Sequence, residues 1–231
     1  METGPRGNEA SGKGFAGDDL LMSTTQGPRP EPTYSAAEER DQLVRELHHR
    51  VKNNLQIIVS LMNVQKRLLP AERRGEMRFL EEHVQAMAAA YRVVYASGEM
   101  IRVSMDDLIR EVVSGLVDVS GPRGRDVETA GCEACMMINL DQAVTLGLLL
   151  AVALPPVLDA VQPGQEGVAI HTRQEADHVC LGITGPVPVS PLLDQLRGRL
   201  LEGHLKQLNA TRVEGLPAEE LRISLPKHDL V

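Results

Sequence analysis

From Ser35 to Leu69 the chain contains neither proline nor glycine, and apolar residues return along it at steps of mostly three and four. Leu43, Leu47, Val51, Leu55, Ile58, Met62 and Leu69 mark one apolar face of a helix. Ser35, with Glu38 three residues on, predicts a capping box at its start. Such a helix would run roughly 34 residues, or ~50 Å. A rod of that length in a chain of 231 residues needs a second helix to lie along.

The sequence supplies one. Pro70 enforces a stop. Phe79, Leu80, Val84, Met87, Ala88, Tyr91, Val94 and Tyr95 then repeat the helical spacing across residues 72–97. Gly75 is unfavourable inside a helix and is read as part of the turn. Two amphipathic helices joined by a short connection form an antiparallel hairpin. A hairpin buries one side of each helix, and two copies would bury the rest as a four-helix bundle. A homodimer is therefore expected.

Residues 1–33 are rich in Gly, Pro, Ser, Thr and Asp and include Gly27-Pro28-Arg29-Pro30-Glu31-Pro32. They are expected to be a disordered N-terminal tail, with too little apolar surface to offset ordering entropy. The helical hairpin occupies 34–100. Beyond Ser97-Gly98 the pattern changes. Met105–Val117 reads as an amphipathic helix whose start Asp106 and Asp107 would cap. After a turn at Gly121-Pro122-Arg123-Gly124, Val127 and Met136–Ile138 flank strands. Asp141–Leu154 is an apolar helix that Pro155-Pro156 would stop. Gly167–His171 and His178–Ile183 alternate like strands, Leu192–Leu208 repeats leucines as a helix, and Glu220–Leu225 is a last strand. Residues 101–231 are thus expected to be a second domain, with helices against a mixed sheet, in a chain of α+β class.

Bulk composition narrows the function. The net charge of -8 disfavours nucleic-acid binding, which needs a basic footprint. Aromatic residues are only 2%, so the core must rest on Leu, Val, Ile, Ala and Met. The most apolar run, Leu146–Pro156, is shorter than the ~20 residues a bilayer requires. No signal peptide is visible, and three cysteines make no disulfide framework. A cytoplasmic protein without membrane or nucleic-acid partners is expected. Cys132 and Cys135 have the Cys-x-x-Cys spacing of redox and zinc sites, but no second pair accompanies them, and no metal site is expected. His83 is read as a core-edge residue. His171, His178, His204 and His228 are scattered.

The chemistry concentrates in Glu46-Leu47-His48-His49-Arg50-Val51-Lys52-Asn53-Asn54-Leu55-Gln56. With Leu47, Val51, Leu55 and Ile58 packed inward, His49 lies away from the packed face. Lys52, Asn53, Gln56, Ser60 and Asn63 continue its polar stripe. A neutral imidazole is nucleophilic near pH 7 and can take up a phosphoryl group if a ring nitrogen is exposed. Glu46 could orient the other ring nitrogen. Arg45, Arg50 and Lys52 supply positive charge for a phosphoryl dianion, and Asn53 and Gln56 offer neutral hydrogen bonds. His48 is the rival acceptor and is placed nearer the packed face.

The stretch Glu46–Gln65 strongly resembles the dimerisation and phosphoacceptor segment of the HisKA_2/HWE-type sensor histidine kinases, through its core Glu-x-x-His-Arg-x-Lys-Asn-x-x-Gln. In that family the histidine before Arg-x-Lys-Asn is phosphorylated, which implies His49 as acceptor. Ala90–Val113 is similar to the end of the family's second helix and the junction beyond it. The second half would then correspond to its ATP-binding domain. Ile138–Val161 looks like the helix bearing the Asn-Glu-x-x-x-Asn box, in a register that puts Ala151, Val152 and Pro156 at the box positions. None of the three has a side-chain oxygen for Mg²⁺. The Asp-x-Gly-x-Gly segment is also missing: its nearest counterpart, Leu181–Ser190, has no aspartate, with Val187 and Pro188 in place of a glycine loop.

The resemblance with these losses implies a degenerate ATPase-like domain with no cofactor of its own. It points to a histidine phosphotransferase relaying a phosphoryl group between His49 and aspartates of response-regulator receiver domains without using ATP. Mg²⁺ would sit on the receiver partner, and an upstream hybrid sensor kinase would be a further partner. Two alternatives stand beside this: a non-catalytic pseudokinase scaffold or inhibitor that binds receivers or kinases, and a residual ATP-dependent histidine kinase.

Overall fold

The computed structural model describes residues 36–96, 102–120, 127–130, 136–162 and 165–227. The tail, the Ser35 cap, Ser97-Gly98, the Gly121–Gly124 turn, Cys132, Cys135 and His228 lie outside the described residues, as do the side chains of His48 and Tyr95.

The first helix, α1, spans Ala36–Leu68 and the second, α2, spans Arg74–Ala96. Between them Pro70 leads into a single 3-10 turn over Ala71–Arg73. Arg74 Nε donates to the Leu69 carbonyl at 3.2 Å, one way of satisfying the acceptors a helix end leaves over. Gly75 therefore sits in the first turn of α2 rather than in the connection.

The face of α1 turned to α2 differs from the one the spacing predicts. Leu55 is buried, and Val44, Val51, Val59, Met62 and Lys66 are half-buried around it. Leu43, Leu47 and Ile58 face outward instead. Apolar residues cover two separate stripes of α1, and a single-period reading merges them. Lys66 pairs with Glu81 at 2.6 Å and fixes the level at which the two helices meet.

After α2 come β1 (Val103–Ser104), α3 (Met105–Ser120), β2 (Val127–Ala130), β3 (Met137–Ile138), α4 (Leu140–Ala160), β4 (Val168–Gln174), β5 (His178–Thr184), α5 (Gln195–Gln207), β6 (Thr211–Arg212) and β7 (Glu220–Pro226). The main sheet has the order β2-β4-β5-β7-β6, with β2 parallel to β4 and the other pairs antiparallel. β1 and β3 form a separate antiparallel pair. The chain is an α+β protein, with a long helical hairpin followed by a mixed-sheet domain.

One hydrophobic core joins the two parts. It takes Ala86, Ala89, Ala90 and Val94 from α2, Leu108, Val112 and Leu116 from α3, Leu146, Leu149 and Leu150 from α4, and Ile170, Leu181, Ile183 and Ile223 from the sheet. Each such leucine contributes about 1.5–3 kcal/mol by leaving water. Close approach of α2 to α4 depends on Gly147: a Cβ there would lie 3.2 Å from the Ala86 carbonyl oxygen.

Several local expectations are corrected. α3 begins at Met105, and its capping oxygen is Ser104 Oγ, which accepts from the Asp107 N–H at 3.3 Å. Asp106 instead accepts from Thr172 Oγ1 at 3.0 Å. The predicted helix over Leu192–Leu208 divides into a 3-10 turn at Ser190–Leu192 and α5, whose N-cap is Asp194. α4 opens on a capping box formed by Asn139 and Gln142 and continues through Pro155-Pro156 to Ala160. Its 21 residues are apolar enough to cross a membrane by length, but most of that surface is buried in the core.

Candidate functional site

His49 is exposed on α1, as are Glu46, Arg50, Asn53 and Gln56, while Lys52 is half-buried. Successive residues of a helix are 100° apart, which sets His49 roughly 120° around α1 from Leu55. Arg45, Lys52, Asn53, Gln56, Ser60 and Asn63 share its side of the helix. A third face carries Leu43, Leu47, Ile57, Leu61, Val64 and Leu68, all exposed. These six follow the 4-3 spacing of a heptad seam, interrupted where Arg50 and Asn54 take the two intervening positions. His49 thus borders this aliphatic stripe without belonging to it.

Glu46 pairs with Arg50. Its Oε1 accepts from Arg50 Nε at 3.1 Å and from Arg50 Nη2 at 2.5 Å. The pair is exposed on both sides and contributes only a few tenths of a kcal/mol, about what an i,i+4 pair provides. It holds the guanidinium against Glu46, so its positive charge is partly neutralised.

The C-terminal half of α4 gives a contrasting picture. Ala151 and Val152 are fully buried, and Pro156 is half-buried. No side-chain oxygen is available from any of the three. Mg²⁺ requires oxygen ligands near 2.1 Å, and these three side chains supply none. Among the described residues no three His, Cys, Asp or Glu side chains come together as a metal site. In the segment after β5, Val189 is buried and Pro188 is exposed.

α4 stays helical past its prolines because of a side chain the sequence reading passed over. Arg197, on α5, donates from Nη1 to the carbonyls of Ala151 at 3.2 Å and Val152 at 3.0 Å. Its Nη2 donates to Glu82 Oε2 at 3.0 Å. The guanidinium also lies over the Phe79 ring, 5.1 Å from its centre. Glu82 is buried, and Arg78 Nε lies 3.0 Å from its other oxygen. Burial raises the Glu82 carboxyl above its ordinary range, against the opposing pull of Arg197 and Arg78. Nδ1 of the neighbouring His83 donates to the Phe79 carbonyl at 2.7 Å, and its Nε2 is buried without a partner. Burial lowers its affinity for a proton, and that of His204 on α5 as well. The core-edge reading of His83 is correct.

The signal for Arg197 was present in the sequence. Each proline withholds the N–H that the carbonyl four residues earlier would accept. Two successive prolines in an apolar helix therefore announce two acceptors in need of a donor, though not where the donor lies.

Comparison with known proteins places this geometry. Residues 46–120, which include most of α1 and all of α2 and α3, match the HisKA_2 family model, described as histidine kinase. The histidine kinase domain of the Erythrobacter litoralis EL346 blue-light activated histidine kinase has 19% identity and a TM-score of 0.50, covering 84% of this chain and 99% of that one. The longer EL346 structure has 19% identity and a TM-score of 0.54, covering 80% of this chain and 59% of that one. A weaker match, at 14% identity and a TM-score of 0.40, is full-length ShkA in complex with AMPPNP, covering 80% of this chain and 45% of that one. No curated protein matches the chain. The expectation of a phosphotransferase working without ATP is corrected by these matches: the family model and the EL346 folds that resemble this one are those of histidine kinases. The chain therefore carries a HisKA_2-like, histidine-kinase-related helical region over residues 46–120, followed by a mixed-sheet domain in the general histidine-kinase arrangement.

Proposed function

We propose that the chain is a histidine-kinase-type protein of two-component signalling in which His49 takes up a phosphoryl group in an ATP-dependent reaction. The observation that carries this is the exposed His49 among Arg45, Lys52, Asn53 and Gln56, within the stretch matched by a histidine kinase family. The imidazole supplies the nucleophile, and the surrounding cations and amides favour the charge that arrives on it. Response-regulator receiver domains are the partners to which the phosphoryl group would pass, since a basic polar face suits an acidic aspartate pocket.

A second copy of the chain is the proposed occupant of the exposed stripe Leu43, Leu47, Ile57, Leu61, Val64 and Leu68. A heptad-spaced aliphatic face of this length is what paired helices bury. A monomer in sedimentation experiments at micromolar concentration overturns the dimer.

The test of the main reading is incubation of the full chain with radiolabelled ATP and Mg²⁺. Label that is acid-labile and alkali-stable on wild type, and absent from His49→Gln, supports it. Equal label on both removes His49, and no label on wild type removes the ATP dependence. The sealed positions Ala151 and Val152 favour a second reading, a pseudokinase scaffold that binds kinases or receivers without chemistry of its own. That reading requires binding, measured by calorimetry against candidate receivers, to survive H49Q at unchanged affinity.

A further inference from the structure

We infer that Arg197 is a positioning residue: it locks the helical hairpin to the sheet domain, using two carbonyls that Pro155 and Pro156 leave without helical partners. In an α-helix the carbonyl of residue i accepts from the N–H of residue i+4. Pro155 stands four residues after Ala151 and Pro156 four after Val152, so these two acceptors lose their donors. Both residues are fully buried, where an unpaired carbonyl is costly. Arg197 Nη1 reaches both, at 3.2 and 3.0 Å. The acceptors lost and the acceptors served are the same pair.

The lock arises because the guanidinium has a second edge. Nη2 meets Glu82 of the hairpin at 3.0 Å. Glu82 faces Arg78 at 3.0 Å, and Arg78 Nη2 continues to Asp159 at 2.8 Å and Ser120 Oγ at 3.0 Å. One connected set of charges therefore ties α5, α4, α2 and the end of α3 together. Asp194 holds the base of the device by accepting from the Arg197 backbone N–H at 2.7 Å. A lysine could not repeat this, since its single nitrogen lacks the planar fork.

The lock also fixes distance. Lys66 and Glu81 meet across the hairpin, next to Glu82. His49 lies 17 residues before Lys66, which is about 25 Å along α1. The joint therefore lies near the Lys66 level of the hairpin, at about that remove along the helix axis from His49. The lock stands whether or not His49 is phosphorylated.

The test is a cycle in the full chain: wild type, R197M, P155A/P156A, and the three substitutions together, each unfolded in urea. Loss of a charged donor from two buried carbonyls and of a partner from buried Glu82 predicts that R197M lowers the folding constant about 1,000-fold in wild type. In the P155A/P156A background the restored N–H groups serve the carbonyls, and the loss falls to about 30-fold, the part owed to Glu82. Hydrogen exchange supplies the second reading: R197M is expected to speed exchange of α2 amides from Arg78 to Ala90 more than those of β4, β5 and β7. An equal loss in both backgrounds, or exchange that rises evenly through the chain, overturns the inference. If R197M does not accumulate folded, the same cycle with R197K is expected to show about a tenfold loss that the P155A/P156A background removes.

Discussion

The polar face of α1 around His49 and the buried end of α4 around Ala151 are built on opposite principles. The first consists of groups turned to solvent, ordered by helix periodicity alone, and it contributes little to stability. The second is sealed, charged and held by residues from two other helices, α2 and α5. The first offers an imidazole, cations and amides to solvent, and the second offers hydrocarbon and helix backbone. α4 keeps its place in the core with hydrocarbon at Ala151 and Val152 and proline at Pro155 and Pro156.

The comparison breaks most sharply at Glu82. Glu82→Ala leaves Arg197 and Arg78 beside a buried site without their counter-charge, and a loss of about 3–5 kcal/mol is expected in urea unfolding. Glu82→Gln keeps an acceptor for Arg197 and should lose less. Next comes Leu154→Ala in the fully buried part of α4, with an expected loss of about 3 kcal/mol by the same measurement. Leu61→Ala is its counterpart on the exposed stripe and should change the stability of the isolated chain by less than about 0.5 kcal/mol, while weakening self-association in sedimentation.

Protonation sharpens the contrast further. His83 and His204 bind a proton less readily in the folded chain, chiefly through burial, and His204 also through His83; Arg197 faces His83 as well. Below about pH 6.5 the unfolded state therefore holds more protons. The stability these rings contribute is complete above that value and is lost as pH falls through it toward the lowered folded values. Glu82 runs the other way: its raised carboxyl contributes stability at low pH that is lost as pH rises through the folded value. Thermal melts between pH 7 and 5.5 should show an acid decline in wild type and a shallower one in His83→Gln. The smallest effect belongs to His49→Gln, whose melting temperature at pH 7 should lie close to that of wild type because the side chain is exposed.

How legible each region was follows from the range of its interactions. The hairpin, α3, α4, and strands β4, β5 and β7 were readable because their apolar periods are local. His49 was readable because helix geometry alone turns it from Leu55. What escaped needed distant partners. Arg197 reaches its α4 carbonyls across 45 and 46 residues and Glu82 across 115. From local sequence Pro155-Pro156 reads as a helix stop, yet the helix runs on to Ala160. The inward face of α1 was misplaced for another reason. Leu43 and Leu47 belong to a second aliphatic stripe, and only the position of α2 tells the two stripes apart. The two-residue strands β1 and β6 are too short to leave any alternation.

The surface that α2 presents to the core is made largely of Ala86, Ala89 and Ala90, with Gly147 opposite. Methyl groups set against a bare backbone give close contact but little hydrocarbon area to separate, at roughly 25 cal/mol per Å². Adhesion between the hairpin and the sheet domain is accordingly thin along its length and concentrated at one end. An interface made this way has a natural pivot, and a change confined to a single ionic cluster can decide whether the two halves move as one body.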